Sequence, residues 1–438
     1  MERDLYEDLL EWKKSRRRKP LLLQGARQVG KTWLINTFGN REYVDYIYLN
    51  FEQQPDLASL FTGNLSPLQI IQNISFFIGR KIVAENTLIC FDEIQTTPIV
   101  ITSLKYFYEL APEYHLIAAG SLLGVQVGKA NSFPVGKVNF KTLYPISFKE
   151  YLKAVGEQLL VEQLYSLSSI TPLPDLLHQK MLSHLKLFLY LGGMPEVVQD
   201  YLENSDIATV RVIQNEILEA YRRDFSKYAS PEQAIKTAEV WNAVPFQLAK
   251  ENKKFKYSHV RPKARAATFE QTIEWLRNAG LVHIINNLRT PKLPLSGYAD
   301  YSKFKLYLLD TGLLGAMLGV TSDIIMRPSA LFVEYNGAFI ENFVATELIK
   351  QALNPLFYWT SRGDAEVDFV MQSANQIIPI EVKSGLSKNI KSLRSYASKY
   401  KPNTIFRISP RNFVQSGDFV NIPLYGAFIM KQLVMIKK

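Results

Sequence analysis

The chain has one cysteine in 438 residues, Cys90, so no disulfide can form within it and a reducing compartment suits it. Histidine is nearly as scarce. Of the five present, His178 and His184 fall on different faces of a helix-like stretch with no cysteine or acid at ligand spacing, which argues against a metal site there. No apolar run reaches the roughly 18 residues that a membrane-crossing helix needs. The opening Met1-Glu2-Arg3-Asp4 carries acids where a secretory leader carries only bases, and no apolar segment follows it. A cytoplasmic protein with no membrane partner is therefore expected. Low-complexity tracts are also missing. With 47% hydrophobic and 21% charged residues, the composition is that of a globular protein of about two to four domains. Lys and Arg (51) exceed Asp and Glu (41), and the net charge of +10 admits a polyanionic partner without requiring one.

What is present begins with Leu21-Leu22-Leu23-Gln24, an apolar run that reads as a buried strand. It runs into Gly25-Ala26-Arg27-Gln28-Val29-Gly30-Lys31-Thr32, after which Trp33–Phe38 can open a helix. Strand, Gly-x-x-x-x-Gly-Lys-Thr and helix in this order form a phosphate-binding loop. Gly25 and Gly30 let the backbone curl so that its N–H groups face an anion. Lys31 supplies a point charge to the β- and γ-phosphates of ATP, and the Thr32 hydroxyl a ligand for Mg²⁺. Thr87-Leu88-Ile89-Cys90-Phe91-Asp92-Glu93 reads as a central strand ending in two acids at the edge of a parallel sheet where ligands bind. Asp92 is placed to hold Mg²⁺ and Glu93 to polarise the attacking water. A third strand, from His115, ends at Gly120-Ser121, where the Ser121 hydroxyl can sense the γ-phosphate or simply occupy a turn.

Together with Asp92-Glu93-Ile94-Gln95, Gly120-Ser121 and Tyr144-Pro145-Ile146-Ser147-Phe148, these motifs resemble the AAA-type ATPases of bacteria and archaea that carry a C-terminal domain of unknown function 4143. Later stretches extend the resemblance over nearly the whole chain: Tyr190–Glu196, Asp224–Tyr228 and Ile380–Ser384. The resemblance implies ATP hydrolysis, a helical lid in which Arg222 or Arg223 serves as a basic sensor, and an oligomer. Lys137 departs from it, since arginine is expected after the glycine there, and a lysine in trans would make a weaker phosphate contact.

The fold expected is α/β, in four parts. These are a P-loop ATPase core (1–146), a helical lid (147–230), a winged-helix middle domain (231–325) and a C-terminal domain like the PD-(D/E)xK nucleases (326–438). The middle domain is read as three helices, over 234–241, 246–249 and 268–279, followed by a ribbon at 281–288 and 304–309. Lys250, Lys253, Lys254, Lys256, Arg261, Lys263 and Arg265 between its helices could sit on DNA phosphates, or the domain could be a protein mount.

The C-terminal order is αβββαβ: a helix over 331–349, strands at 357–360, 365–371 and 377–383, a helix over 390–400 and a strand at 404–408. In the nuclease fold this order brings Asp368 beside Glu381 and Lys383, whose two-residue spacing puts them on one face of a strand. Asp368 and Glu381 would hold Mg²⁺ with Lys383 orienting water, and Glu341 on the preceding helix would join them as in Holliday-junction resolvase-like relatives. The same acids also fit a solvent-facing strand. Two functions follow: an ATP-controlled, metal-dependent nuclease, or an ATP-driven switch or DNA-bound regulator whose nuclease-like domain only binds a partner.

Overall fold

The computed structural model describes residues 1–120, 134, 136–228, 230–250, 253–322, 330–361, 363, 365–386 and 389–436, without the side chains of 228 and 330–336. Ser121, read as a phosphate sensor, lies outside the described residues. Contacts divide the chain into two compact units: Glu2–Tyr144 with Asn278–Leu281, and Pro145–Arg277 with Val282–Lys438 and Met1. Among the described residues no helix is long and apolar enough to cross a membrane.

The first unit is built on a five-stranded parallel sheet of β1 (Leu21–Gln24), β2 (Asp45–Asn50), β3 (Thr87–Asp92), β4 (His115–Ala119) and β5 (Asn139–Thr142), in the order β2-β3-β4-β1-β5. Every residue of β3 is buried, as its unbroken apolar run requires of a central strand covered on both faces. Phe51, Phe61, Phe91 and Phe107 meet edge to face beside it, with centroids 5.4 to 6.1 Å apart. Cys90 is buried in the same strand, and burial pushes its thiol pKa up, so it behaves as a small apolar group.

The second unit carries helices at Phe148–Ala154, Gln158–Tyr165, Asp175–Leu191, Pro195–Asn204 and Ile207–Tyr228. The Gly192-Gly193 break has a steric cause. Gly192 has φ +71°, and a Cβ there would lie 2.2 Å from Asp310 Oδ1. The Gly193 N–H donates to Asp310 Oδ2 at 2.5 Å, while Oδ1 of the same carboxylate accepts from Leu313 N (2.8 Å) to cap the helix Thr311–Met317. His178 is buried, its Nδ1 2.8 Å from the Tyr425 hydroxyl, and His184 faces Glu157 at 3.2 Å.

The middle segment departs from the three expected helices. One helix, Pro231–Leu248, runs through Pro245, and Ala266–Asn278 is the second. Proline removes one helical donor, but Trp241, Val244 and Leu248 on either side of it are buried, and packing holds the helix together across the gap.

The ribbon that follows, β6 (Val282–Leu288) and β7 (Ala299–Leu308), is no separate wing. β6 pairs in parallel with β8 (Phe357–Thr360), Asn286 opposite Phe357. An eight-stranded mixed sheet results, ordered β12-β13-β11-β10-β9-β8-β6-β7, with β9 Glu366–Ser373, β10 Gln376–Val382, β11 Ile405–Ser409, β12 Val414–Ser416 and β13 Phe419–Pro423. The expected division at 325/326 therefore cuts through one sheet. Within it the αβββαβ order stands, from the helix Ala330–Lys350 through β8, β9 and β10 to the helix Lys391–Tyr400 and β11. Asn342 docks the first of these helices on β7, accepting from Leu308 N (2.7 Å) and donating to Leu308 O (3.2 Å).

Candidate nucleotide site and a buried carboxylate cluster

The phosphate loop leaves β1 at Gly25, whose φ is +148°. A Cβ there would stand 2.2 Å from the Leu143 carbonyl oxygen, so the position admits only glycine. Gly30, at φ +91°, is the cap residue of the helix Lys31–Glu42. That places the start of a twelve-residue helix, with its unsatisfied N–H groups, where an anion can reach it. Lys31 is buried and folds back on its own loop, donating to the carbonyls of Gly25 (2.9 Å) and Ala26 (2.8 Å). Burial lowers its pKa to about 8 against the pull of Glu93 and Asp92.

Thr32 Oγ1 donates to Asp92 Oδ2 at 2.9 Å, joining the loop to the tip of β3. The same oxygen accepts from the Tyr48 hydroxyl (2.7 Å), and Asp92 Oδ1 accepts from Glu93 N (2.9 Å). Asn50 Nδ2 in turn donates to the Tyr48 oxygen at 3.1 Å. Glu93 takes φ +54°, uncommon for a residue with a Cβ, which turns the chain away at the strand end. Its Oε2 accepts from Gln95 Nε2. A hydroxyl and a carboxylate in contact are the hard oxygen donors Mg²⁺ takes beside nucleotide phosphates, so Thr32 and Asp92 fit that ion.

The roles of three residues here escaped the sequence reading. Tyr48 and Gln95 hold the two acids, and Arg3 bridges Val29 O (2.8 Å) in the loop to Tyr144 O (2.6 Å) beyond β5. The alternation Tyr46, Tyr48, Asn50 places the latter two on one face of β2, which was a usable signal. Arg3 gave none. Removing the Tyr48 hydroxyl (Tyr48→Phe) is expected to cost about 1 kcal/mol of stability, read from the urea midpoint.

In the other unit, the antiparallel pairing of β9 with β10 brings Asp368 beside the stretch Glu381-Val382-Lys383. Asp368 Oδ2 accepts from Val382 N at 2.7 Å, and Lys383 Nζ lies 3.0 Å from Glu381 Oε1. Glu341 reaches the same place from its helix, but its oxygens are taken: Oε1 by Lys253, and Oε2 by the Tyr307 hydroxyl at 3.0 Å. The unforeseen member is Lys305 of β7, with no exposed surface. Its Nζ stands 2.5 Å from Glu366, 3.6 Å from Glu341 and 4.0 Å from Asp368. Burial and the neighbouring Glu341 carboxylate raise the Asp368 pKa. Burial would raise that of Glu341 too, but Lys253 and Lys305 hold it down.

Among the described residues no group of three His, Cys, Asp or Glu side chains is placed to hold a metal ion. Mg²⁺ therefore does not fit the expected set Glu341, Asp368 and Glu381 in this arrangement, because ammonium groups occupy the space between the carboxylates. Lys253, expected on DNA, is spent on Glu341, and Arg261 pairs with Glu239 at 2.7 Å. Lys250, Lys256, Lys263 and Arg265 of that group are exposed. Lys137 pairs with Glu109 at 3.1 Å, and Arg222 with Glu219 at 3.3 Å.

A parallel sheet whose first strand runs into this loop, with an acid at the tip of β3 one strand away across β4, defines a P-loop nucleotide-binding core. Residues 17–152 match the family model of an AAA domain, 182–324 that of domain of unknown function 8612, and 336–425 that of domain of unknown function 4143. The chain thus carries an AAA domain and, C-terminal to it, a domain of unknown function 4143. It is similar to uncharacterized proteins of Mycobacterium bovis and Mycobacterium tuberculosis, 33% identical over 93 residues. That match covers 21% of this chain and only 20% of each relative's length. Among solved structures, a Walker-type ATPase of Pyrococcus abyssi aligns over 72% of this chain and 95% of its own, at 15% identity and a TM-score of 0.43. The Orc1 protein of Aeropyrum pernix, solved in complex with DNA, aligns over 72% and 90%, at 14% identity and a TM-score of 0.25.

Proposed function

We propose that the chain hydrolyses ATP and uses the cycle as a conformational switch. The observation that carries this reading is the Thr32–Asp92 contact at 2.9 Å beside a lysine parked on the carbonyls of its own loop. Those carbonyls are the weaker partner for an ammonium. An arriving triphosphate draws Lys31 off Gly25 and Ala26 onto the β- and γ-phosphates, while the loop N–H groups and the helix start take the remaining charge. Thr32 and Asp92 would hold Mg²⁺, which would neutralise phosphate charge when bound. Glu93 orients water for in-line attack: the water oxygen bonds to the γ-phosphorus, the bond to the β,γ-bridging oxygen breaks with ADP as the leaving group, and a proton of the water passes to the Glu93 carboxylate. Gln95 must release Glu93 for this, so Gln95 is a positioning residue. Phosphate release by the full chain with Mg²⁺, lost in Lys31→Ala, tests the reading. An unchanged rate in that variant would refute it.

Nucleotide affinity should depend on pH with a definite sign. Lys31 binds phosphate as the cation, and its pKa is about 8 in the nucleotide-free site. A bound triphosphate raises that value. Affinity is then full below about pH 8, falls as pH rises through it, and binding above it takes up a proton. Calorimetry at pH 8.5 in buffers of different ionisation enthalpy reads the uptake directly.

DNA is the partner the exposed lysines and arginine between the helices of the middle segment would meet. With Lys250, Lys256, Lys263 and Arg265 on phosphates, log K should fall against log salt with a slope of about −4. A flat response in fluorescence anisotropy would leave a protein as the partner of this surface.

A further inference from the structure

A cluster of charged side chains gathers around Lys305 of β7, and nucleotide chemistry has no use for it. Four carboxylates converge there: Glu341 from the helix Ala330–Lys350, Glu366 and Asp368 from β9, and Glu381 from β10. Three ammonium groups face them. Lys305 comes from β7, Lys383 follows β10, and Lys253 arrives from the segment after the helix Pro231–Leu248.

We infer that Lys305 is the resident cation of this cluster, among the carboxylates expected from the sequence to hold Mg²⁺, and that the domain binds no catalytic metal. Lys305 is fully buried, has three carboxylates within 4.0 Å and lies 5.1 Å from the Tyr358 ring centroid. An ammonium so placed repels a second cation, and Mg²⁺ or Mn²⁺ would also need about six oxygen ligands. Several of the acceptors already have partners: both Glu341 oxygens with Lys253 and Tyr307, Asp368 Oδ2 with Val382 N, Glu366 Oε1 in an ion pair with Lys305, and Glu381 Oε1 with Lys383. Among the described residues Glu381 Oε2 is the one carboxylate oxygen of the set recorded as buried without a partner.

The cation also has a structural consequence. Lys305 sits on the ribbon β6–β7, and its partners sit on β9 and the helix Ala330–Lys350. It therefore ties the middle segment electrostatically to the C-terminal strands with which it shares a sheet. A metal would have bound the C-terminal strands alone. The inference does not depend on the nucleotide reading, since no residue of the phosphate loop enters it.

The test is Mn²⁺ binding to the nucleotide-free full chain, by calorimetry and by the metal-induced shift in melting temperature. Wild type and Asp368→Asn should respond alike, with no submillimolar site that the substitution removes. A wild-type site lost in Asp368→Asn overturns the inference. The Lys253→Met/Lys305→Met double variant opens the space, and it should bind Mn²⁺ about tenfold or more tighter than wild type and melt higher when the ion is added. Adding Asp368→Asn to the double variant should abolish both effects. A folded double variant that gains no Mn²⁺ affinity also overturns the inference. Should the double variant not fold, the comparison of wild type with Asp368→Asn decides alone.

Discussion

Glu93→Gln is expected to bind ATP as wild type does and to turn it over about 10²- to 10⁴-fold more slowly, the range for losing a positioned general base. The two neighbouring acids can be told apart because their partners differ. Both Asp92 oxygens are engaged within the fold, by Thr32, Tyr48 and the Glu93 amide. Glu93 instead stands beyond the strand end on a turned backbone, its side chain held by Gln95. Replacing it by an amide of the same shape leaves the loop, Thr32 and Asp92 intact, so affinity survives while the base is lost. Single-turnover phosphate release beside equilibrium nucleotide binding separates these quantities. Equal loss in both would mean that Glu93 supports the site's structure rather than its chemistry. Gln95→Ala should then act on rate alone, since its amide touches Glu93 and none of the phosphate-binding groups named above.

The second large effect concerns stability. Lys305→Ala should destabilise the second unit by about 3–5 kcal/mol, the cost of leaving a buried charge cluster without one partner. Surface ion pairs such as Arg222–Glu219 are worth far less, because water replaces the lost partner. The loss also has a pH sign. Burial and Glu341 already hold the Asp368 pKa up, and removing Lys305 raises its preference for a proton further. The variant can then relieve itself at low pH by protonating its carboxylates, and the deficit deepens as pH rises. Denaturant unfolding at two pH values checks both size and direction. A deficit under about 1 kcal/mol would mean that the cluster is solvated enough to dispense with its lysine.

The sequence was most legible where chemistry forces a spacing. A phosphate loop needs its two glycines, its lysine and its threonine in a row after a strand, and an apolar run ending in Asp92-Glu93 reads as the strand facing it. The αβββαβ order was legible for a different reason, since short β-rich runs bounded by turn residues and longer helix-forming stretches follow one another from residue 330 onward. What escaped was non-local. Lys305 stands in Lys303-Phe304-Lys305-Leu306-Tyr307, where lysines alternating with apolar residues read as solvent-facing positions. Its partners lie 36 to 63 residues later in the chain, at Glu341, Glu366 and Asp368. The parallel pairing of β6 with β8 spans the whole helix Ala330–Lys350, so nothing in the ribbon itself announces that it belongs to the C-terminal sheet. Pro245 misled for a local reason, because proline propensity argues for a helix end that the packing of Trp241 and Leu248 overrides.

The measurement that bears most directly on the central claim is equilibrium binding of ATP to the full chain with Mg²⁺, set beside Lys31→Ala at pH 7.5. Wild type should bind one nucleotide per chain with affinity that declines above about pH 8, and the variant, which keeps the loop glycines but not the cation, should lose that binding. Equal binding by both proteins would contradict the account, because it would place the nucleotide away from the loop around which the first unit is built.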